Sequence, residues 1–118
     1  MIVASVRVVA PPGGHPELLR LLNALLAPMR VQPGCIEARL YLDVDDPDAL
    51  TMIHEWRSQV DLDRFLASDA GKVIVAVLER SRLPPELHFD TVATRGGLEV
   101  IALARSDLSR LRHPRKPT

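Results

Sequence analysis

Cysteine occurs once in the 118 residues, at Cys35, which excludes an intrachain disulfide and any zinc cluster built from thiolates. A lone thiol fits a reducing compartment, so the expected setting is cytoplasmic. Aromatic residues are scarce, with one Trp, one Tyr and two Phe, and the basic C-terminus has none of the interleaved aromatics on which nucleic-acid bases stack. No apolar run approaches the roughly 20 residues of a transmembrane helix, and no basic, hydrophobic and cleavable leader opens the chain. A glycine-rich phosphate loop, an H-x-x-x-H pair and a nucleophile elbow are also missing. Net charge is zero but uneven: residues 105–118 hold five Arg or Lys against one acid, leaving ten against fourteen in the body. This split reads as one domain over residues 1–104 followed by a solvated basic tail over 105–118, with neither nucleic acid nor membrane as a partner.

What is present alternates. Residues 2–9 place Ile2, Ala4, Val6 and Val8 on one side of a strand. Pro11, Pro12, Gly13 and Gly14 end it, and Pro16-Glu17 opens a helix whose stripe is Leu18, Leu22, Leu25 and Met29. Pro28 is expected to end or kink that helix near Ala27. Pro33-Gly34 leads into a second strand, residues 35–43, with Ile36, Ala38, Leu40 and Leu42 apolar and Glu37, Arg39, Tyr41 and Asp43 polar. The acidic loop after it, Asp43, Asp45, Asp46 and Asp48, lacks the glycine and final glutamate of a calcium site. Residues 50–56 form a third strand. Ser58 caps a helix carrying Leu62, Phe65 and Leu66, and Ser68-Asp69 caps another, over residues 70–82. A fourth strand follows at residues 87–92, and Gly96-Gly97 predicts a hairpin into a fifth, residues 98–104. The order β, α, β, β, α, β with an extra strand is the split βαβ, ferredoxin-like arrangement of an α+β fold with an antiparallel sheet.

The stretch W-x-S-x-x-x-L-x-x-x-L-x-S-D from Trp56 to Asp69, with Pro12-Gly13, Pro33-Gly34-Cys35 and Asp46-Pro47 in order before it, resembles the antibiotic biosynthesis monooxygenase family. The resemblance implies a dimeric α+β barrel, formed when two sheets pair, with a ligand cavity between sheet and helices. It also implies a site role for Trp56, which matches a tryptophan that many members place in the cavity. Phe65 stands where members of the quinol type often carry histidine. Val75 stands where haem-degrading members carry an axial histidine, so haem cleavage is not expected.

From the residues, the sheet face away from the helices collects Ser5, Arg7, Glu37, Arg39, Tyr41, His54, Trp56 and His88, with Ile53 on the helix side. Such a face suits a planar or anionic aromatic molecule. It also suits a dimer interface, which favours Trp, Tyr and Arg. Taken with the resemblance, the expected function is an oxygenase without metal, flavin or other cofactor, acting on a phenolic or hydroquinone-type molecule. Arg7 and Arg39 would hold the substrate anion, His54 or His88 would accept its proton, and Trp56, Tyr41 and Phe65 would seat the ring. The alternative is a non-catalytic dimeric barrel that binds a small apolar ligand or serves assembly. In both, an uncovered sheet face calls for a second copy of the chain.

Overall fold

The computed structural model describes residues 1–105 and Asp107; apart from Arg105 and Asp107, the expected basic tail lies outside the described residues. Four strands, β1 (Ile2–Val9), β2 (Cys35–Leu42), β3 (Ala49–Trp56) and β4 (Glu86–Thr91), form one antiparallel sheet in the order β2-β3-β1-β4. Helices α1 (His15–Arg30), α2 (Gln59–Leu66) and α3 (Asp69–Glu79) cover one of its faces, giving the α+β, ferredoxin-like arrangement. No described helix is long and apolar enough to cross a membrane.

The core lies between sheet and helices. On β1, Ile2, Ala4, Val6 and Val8 are buried, and across the ladder from them stand Trp56, His54, Met52 and Leu50 of β3, also buried. Partners across an antiparallel ladder point to the same side, so the wholly apolar face of β1 fixes the facing of β3. The expectation for β3 is therefore reversed: His54 and Trp56 lie in the helix-backed core, and Ile53, with Thr51 and Glu55, lies on the uncovered face. Leu18, Leu22, Leu25 and Met29 of α1 close the core from above, joined by Leu62 and Phe65 of α2 and by Ile74 and Val77 of α3.

Local chemistry explains the helix ends. Ser58 Oγ accepts the Asp61 N–H at 3.2 Å while its hydroxyl donates to the Asp61 carboxylate at 2.9 Å, a tight cap for a helix of only eight residues. Ser68 caps α3 by accepting the Gly71 N–H at 3.3 Å. α1 does not end at Ala27 but runs through Pro28 to Arg30. Pro28 and Ala24 are both on the exposed side, where water can satisfy the carbonyl that proline leaves unbonded. Beyond Pro28, Met29 is fully buried and Arg30 donates to the Ala38 carbonyl from Nε and Nη2 at 3.1 and 2.9 Å.

The expected fifth strand is instead a helix, α4 (Leu98–Ala104). Leu and Ala are good helix formers, and the Glu99 carboxylate accepts the Gly97 N–H at 2.7 Å, satisfying a donor at the helix start. The outer edge of β4 stays unpaired in the described sheet.

Candidate functional site

β3 delivers His54 and Trp56 two residues apart, on the same side of the strand, and α2 lowers Phe65 onto them. The Trp56 and Phe65 rings stack with centroids 5.1 Å apart and planes 25° from parallel. The His54 ring stands edge-on to both, at 5.9 Å from Trp56 and 6.1 Å from Phe65. All three side chains are essentially closed to solvent. Ala38 and Ala4 flank His54 on the neighbouring strands, and these small residues leave room for the imidazole.

The indole N–H of Trp56 donates to Nδ1 of His54 at 2.6 Å. Nδ1 is therefore the acceptor and, in the neutral ring, the proton sits on Nε2. That second nitrogen is buried with no hydrogen-bond partner. Burial pushes the His54 pKa down to about 4, so the ring is neutral at pH 7. An imidazole held in this state is a hydrogen-bond donor; it does not serve as a general base.

The remaining predicted site residues lie on the other side of the sheet. Arg7 pairs with Asp43 at 3.2 Å and Glu86 at 3.8 Å; Arg39 pairs with Glu37; Tyr41 and His88 are exposed on the outer strands β2 and β4. Sequence reasoning had grouped these with His54 and Trp56. The structure divides them: His54, Trp56 and Phe65 are together in the core, while Arg7, Arg39, Tyr41 and His88 are spread over the open face. It also adds a pair that the sequence did not single out, Arg95 Nη2 to Glu55 Oε1 at 2.6 Å. No sequence motif marks that pair. The facing of β3, by contrast, was readable, since Leu50, Met52 and Trp56 outweigh Thr51, Ile53 and Glu55 in apolar content.

A family model described as antibiotic biosynthesis monooxygenase matches residues 1–77. The chain belongs to the antibiotic biosynthesis monooxygenase family. Solved structures agree on the fold. A crystal structure of an antibiotic biosynthesis monooxygenase superposes with TM-score 0.71 at 20% identity, covering 80% of this chain and 100% of that one. The Rv0793 protein of Mycobacterium tuberculosis gives 0.73 at 23% identity, covering 81% and 98%. PA3566 of Pseudomonas aeruginosa gives 0.70 at 25% identity, covering 79% and 94%. No curated protein matches.

Within this monooxygenase-family chain one groove among the described residues, of about 410 Å³, runs between α1 and β2 and brings Arg39 and Tyr41 beside Leu26, Arg30 and Leu42. A second groove, of about 360 Å³, lies between α1 and α3 and is lined by Leu21, Leu25, Pro28 and Val73. His54 and Trp56 line neither of these two. Among the described residues no three His, Cys, Asp or Glu cluster as metal ligands, and Val75, exposed on α3, offers no ligand atom to iron.

Proposed function

We propose that this chain is a cofactor-independent oxygenase for a small phenolic or hydroquinone-type aromatic, with the layer around His54 as its substrate site. The observation that carries the reading is the fully buried imidazole whose Nδ1 is fixed by Trp56 and whose Nε2–H has no partner. A buried donor left unpaired costs about 1–3 kcal/mol, and a substrate oxygen anion is a partner that removes the cost. Trp56 and Phe65 supply the flat apolar walls that a ring needs. Because the box is closed, entry requires α2, which buries only Leu62 and Phe65, to swing away from β3.

In this reading the substrate phenolate passes one electron to dioxygen. The resulting radicals join at a ring carbon ortho or para to the oxygen, and the hydroperoxide loses water, so that one phenol and one O2 give one quinone and one water. His54 Nε2–H stabilises negative charge on oxygen along this path. With Nδ1 engaged and the ring neutral, His54 takes no proton, and ionisation rests on the substrate's own acidity. The expected pH profile of kcat/KM therefore rises with the substrate's phenol pKa, with no inflection from an enzyme histidine.

Members of the family are typically small dimers, and the second copy in our reading sits on the uncovered sheet face. Arg7, Arg39, Tyr41 and His88 then serve that contact. A cytoplasmic setting belongs to the same reading, with Cys35 kept as a thiol that donates to the Glu37 carbonyl at 3.8 Å and whose pKa is raised by burial.

The second reading is a non-catalytic ligand-binding barrel, favoured by the way Phe65 fills the space over Trp56. A panel of dihydroxynaphthalenes and hydroquinones separates the two. Oxygen uptake with 18O appearing in the quinone, cut about 100-fold or more in His54→Phe, supports the oxygenase. Quenching of the single tryptophan without oxygen uptake supports the binding module.

A further inference from the structure

α1 turns one stripe of its surface towards the outer edge of the sheet. Leu19, Asn23, Leu26 and Arg30, spaced four, three and four residues apart, share that side, and with Leu40 and Leu42 of β2 they line the groove of about 410 Å³. That volume is within the range of small-molecule sites. No Asp or Glu lines the groove, although residues 1–104 hold fourteen acids against ten bases.

Arg30 is the fixed point. Its Nε and Nη2 both donate to the Ala38 carbonyl, at 3.1 and 2.9 Å. That carbonyl lies on the edge of β2 away from β3, because the Asp43 N–H bonds Ala49 O on the β3 side and main-chain groups alternate in direction along a strand. A guanidinium offers two bidentate edges. Ala38 takes the Nε–Nη2 edge, which leaves Nη1 and the second hydrogen of Nη2 for another acceptor. Among the described residues no carboxylate pairs with Arg30. The clamp also removes side-chain freedom that an exposed arginine would otherwise lose on binding. From this anchor, four residues of helix and two of strand each advance about 6 Å, so Leu26 comes level with Leu40, and Asn23 with Leu42.

We infer that this groove binds an elongated monocarboxylate, a medium-chain acyl or arylalkyl acid, with its carboxylate on Arg30 and its apolar body along Leu26, Leu40 and Leu42. Charge selects the anion, since the groove carries guanidinium and no acid. Shape selects an elongated body, since Arg30 and Asn23 are about 10 Å apart along the helix with leucine between them. Leu42, 59% exposed, gains the most burial from such a ligand. The inference does not draw on the layer around His54, none of whose three rings lines the groove.

The test titrates decanoate into the full chain by calorimetry, with decan-1-ol and decylamine as matched probes that lack the negative charge. Arg30→Gln and Leu42→Asp, both at exposed positions, are compared with Arg20→Gln on an exposed part of α1 outside the groove, and urea unfolding reports that each variant folds. The expected result is saturable decanoate binding with Kd below ~1 mM, weaker by about tenfold or more in Arg30→Gln and in Leu42→Asp, unchanged in Arg20→Gln, and reduced by salt. Decan-1-ol and decylamine bind at least ~10-fold more weakly. The methyl resonances of Leu26, Leu40 and Leu42 move on titration while the Trp56 indole resonance does not. Equal affinity for decanoate and decan-1-ol overturns the inference, as does Arg30→Gln binding like wild type. Shifts confined to Trp56 overturn it too, by putting the acid in the His54 layer. If decanoate gives no saturable heat and an extended peptide instead protects the outward-facing amides of Leu40 and Leu42, the β2 edge is a strand-pairing surface and the carboxylate site is wrong.

Discussion

His54 is the residue on which the physical chemistry of this core turns. In the unfolded chain its pKa is near the ordinary histidine value of 6.5, and in the fold burial holds it at about 4. The unfolded chain therefore binds a proton in the window between these values while the folded chain does not. Stability is full above about pH 6.5 and falls as pH drops towards 4, by roughly 3 kcal/mol for a shift of this size. Urea unfolding from pH 4 to 7.5 should show that slope, and His54→Leu should flatten it. Trp56 is coupled to the same effect. Trp56→Phe removes the indole donor, leaves Nδ1 unpaired and opens space beside Phe65, so a loss of about 2–4 kcal/mol is expected. That matches the range for Leu22→Ala on the α1 stripe, and side-by-side urea titrations would settle whether the two substitutions are equally costly. Its complete burial makes Trp56 a determinant of stability.

At the scale of elements, the α2–α3 corner is the tightest joint near the box. A Cβ at Gly71 would fall 2.3 Å from the Leu66 carbonyl oxygen and 2.7 Å from that of Phe65. Those are backbone atoms and cannot step aside. Gly71→Ala should therefore cost roughly 2–4 kcal/mol and loosen the stack of Phe65 on Trp56, which a blue-shift loss in Trp56 fluorescence would report. Gly34 differs. It has φ of +82° and sits against the Asp61 side chain, so its glycine is required first by the turn into β2. Two elements departed from their sequence pattern for physical reasons. α1 passes Pro28 because the affected carbonyl faces water, and α4 is helical because Leu and Ala favour helix and Glu99 satisfies the Gly97 N–H at its start. Short apolar runs are ambiguous between strand and helix until neighbours are known.

For the whole molecule, the one-sided sheet is the dominant fact. Helices cover one face, and a dimer is the expected cover for the other. If folding and assembly are coupled, a tenfold rise in chain concentration should add about 1.4 kcal/mol to the apparent stability, seen as a rising urea midpoint. A midpoint independent of concentration would place the folded monomer on its own. By itself the sequence determined the order of strands and helices as far as β4, the two serine caps, the apolar stripe of α1 and the family, because propensity, capping and periodicity act within a few residues of one another. Only the tertiary structure decided that α4 is a helix, that Arg95 meets Glu55, and that His54 and Trp56 stack in a closed core with Phe65. Those outcomes depend on ladder register and on contacts between residues far apart in the chain, and neither is encoded in local pattern.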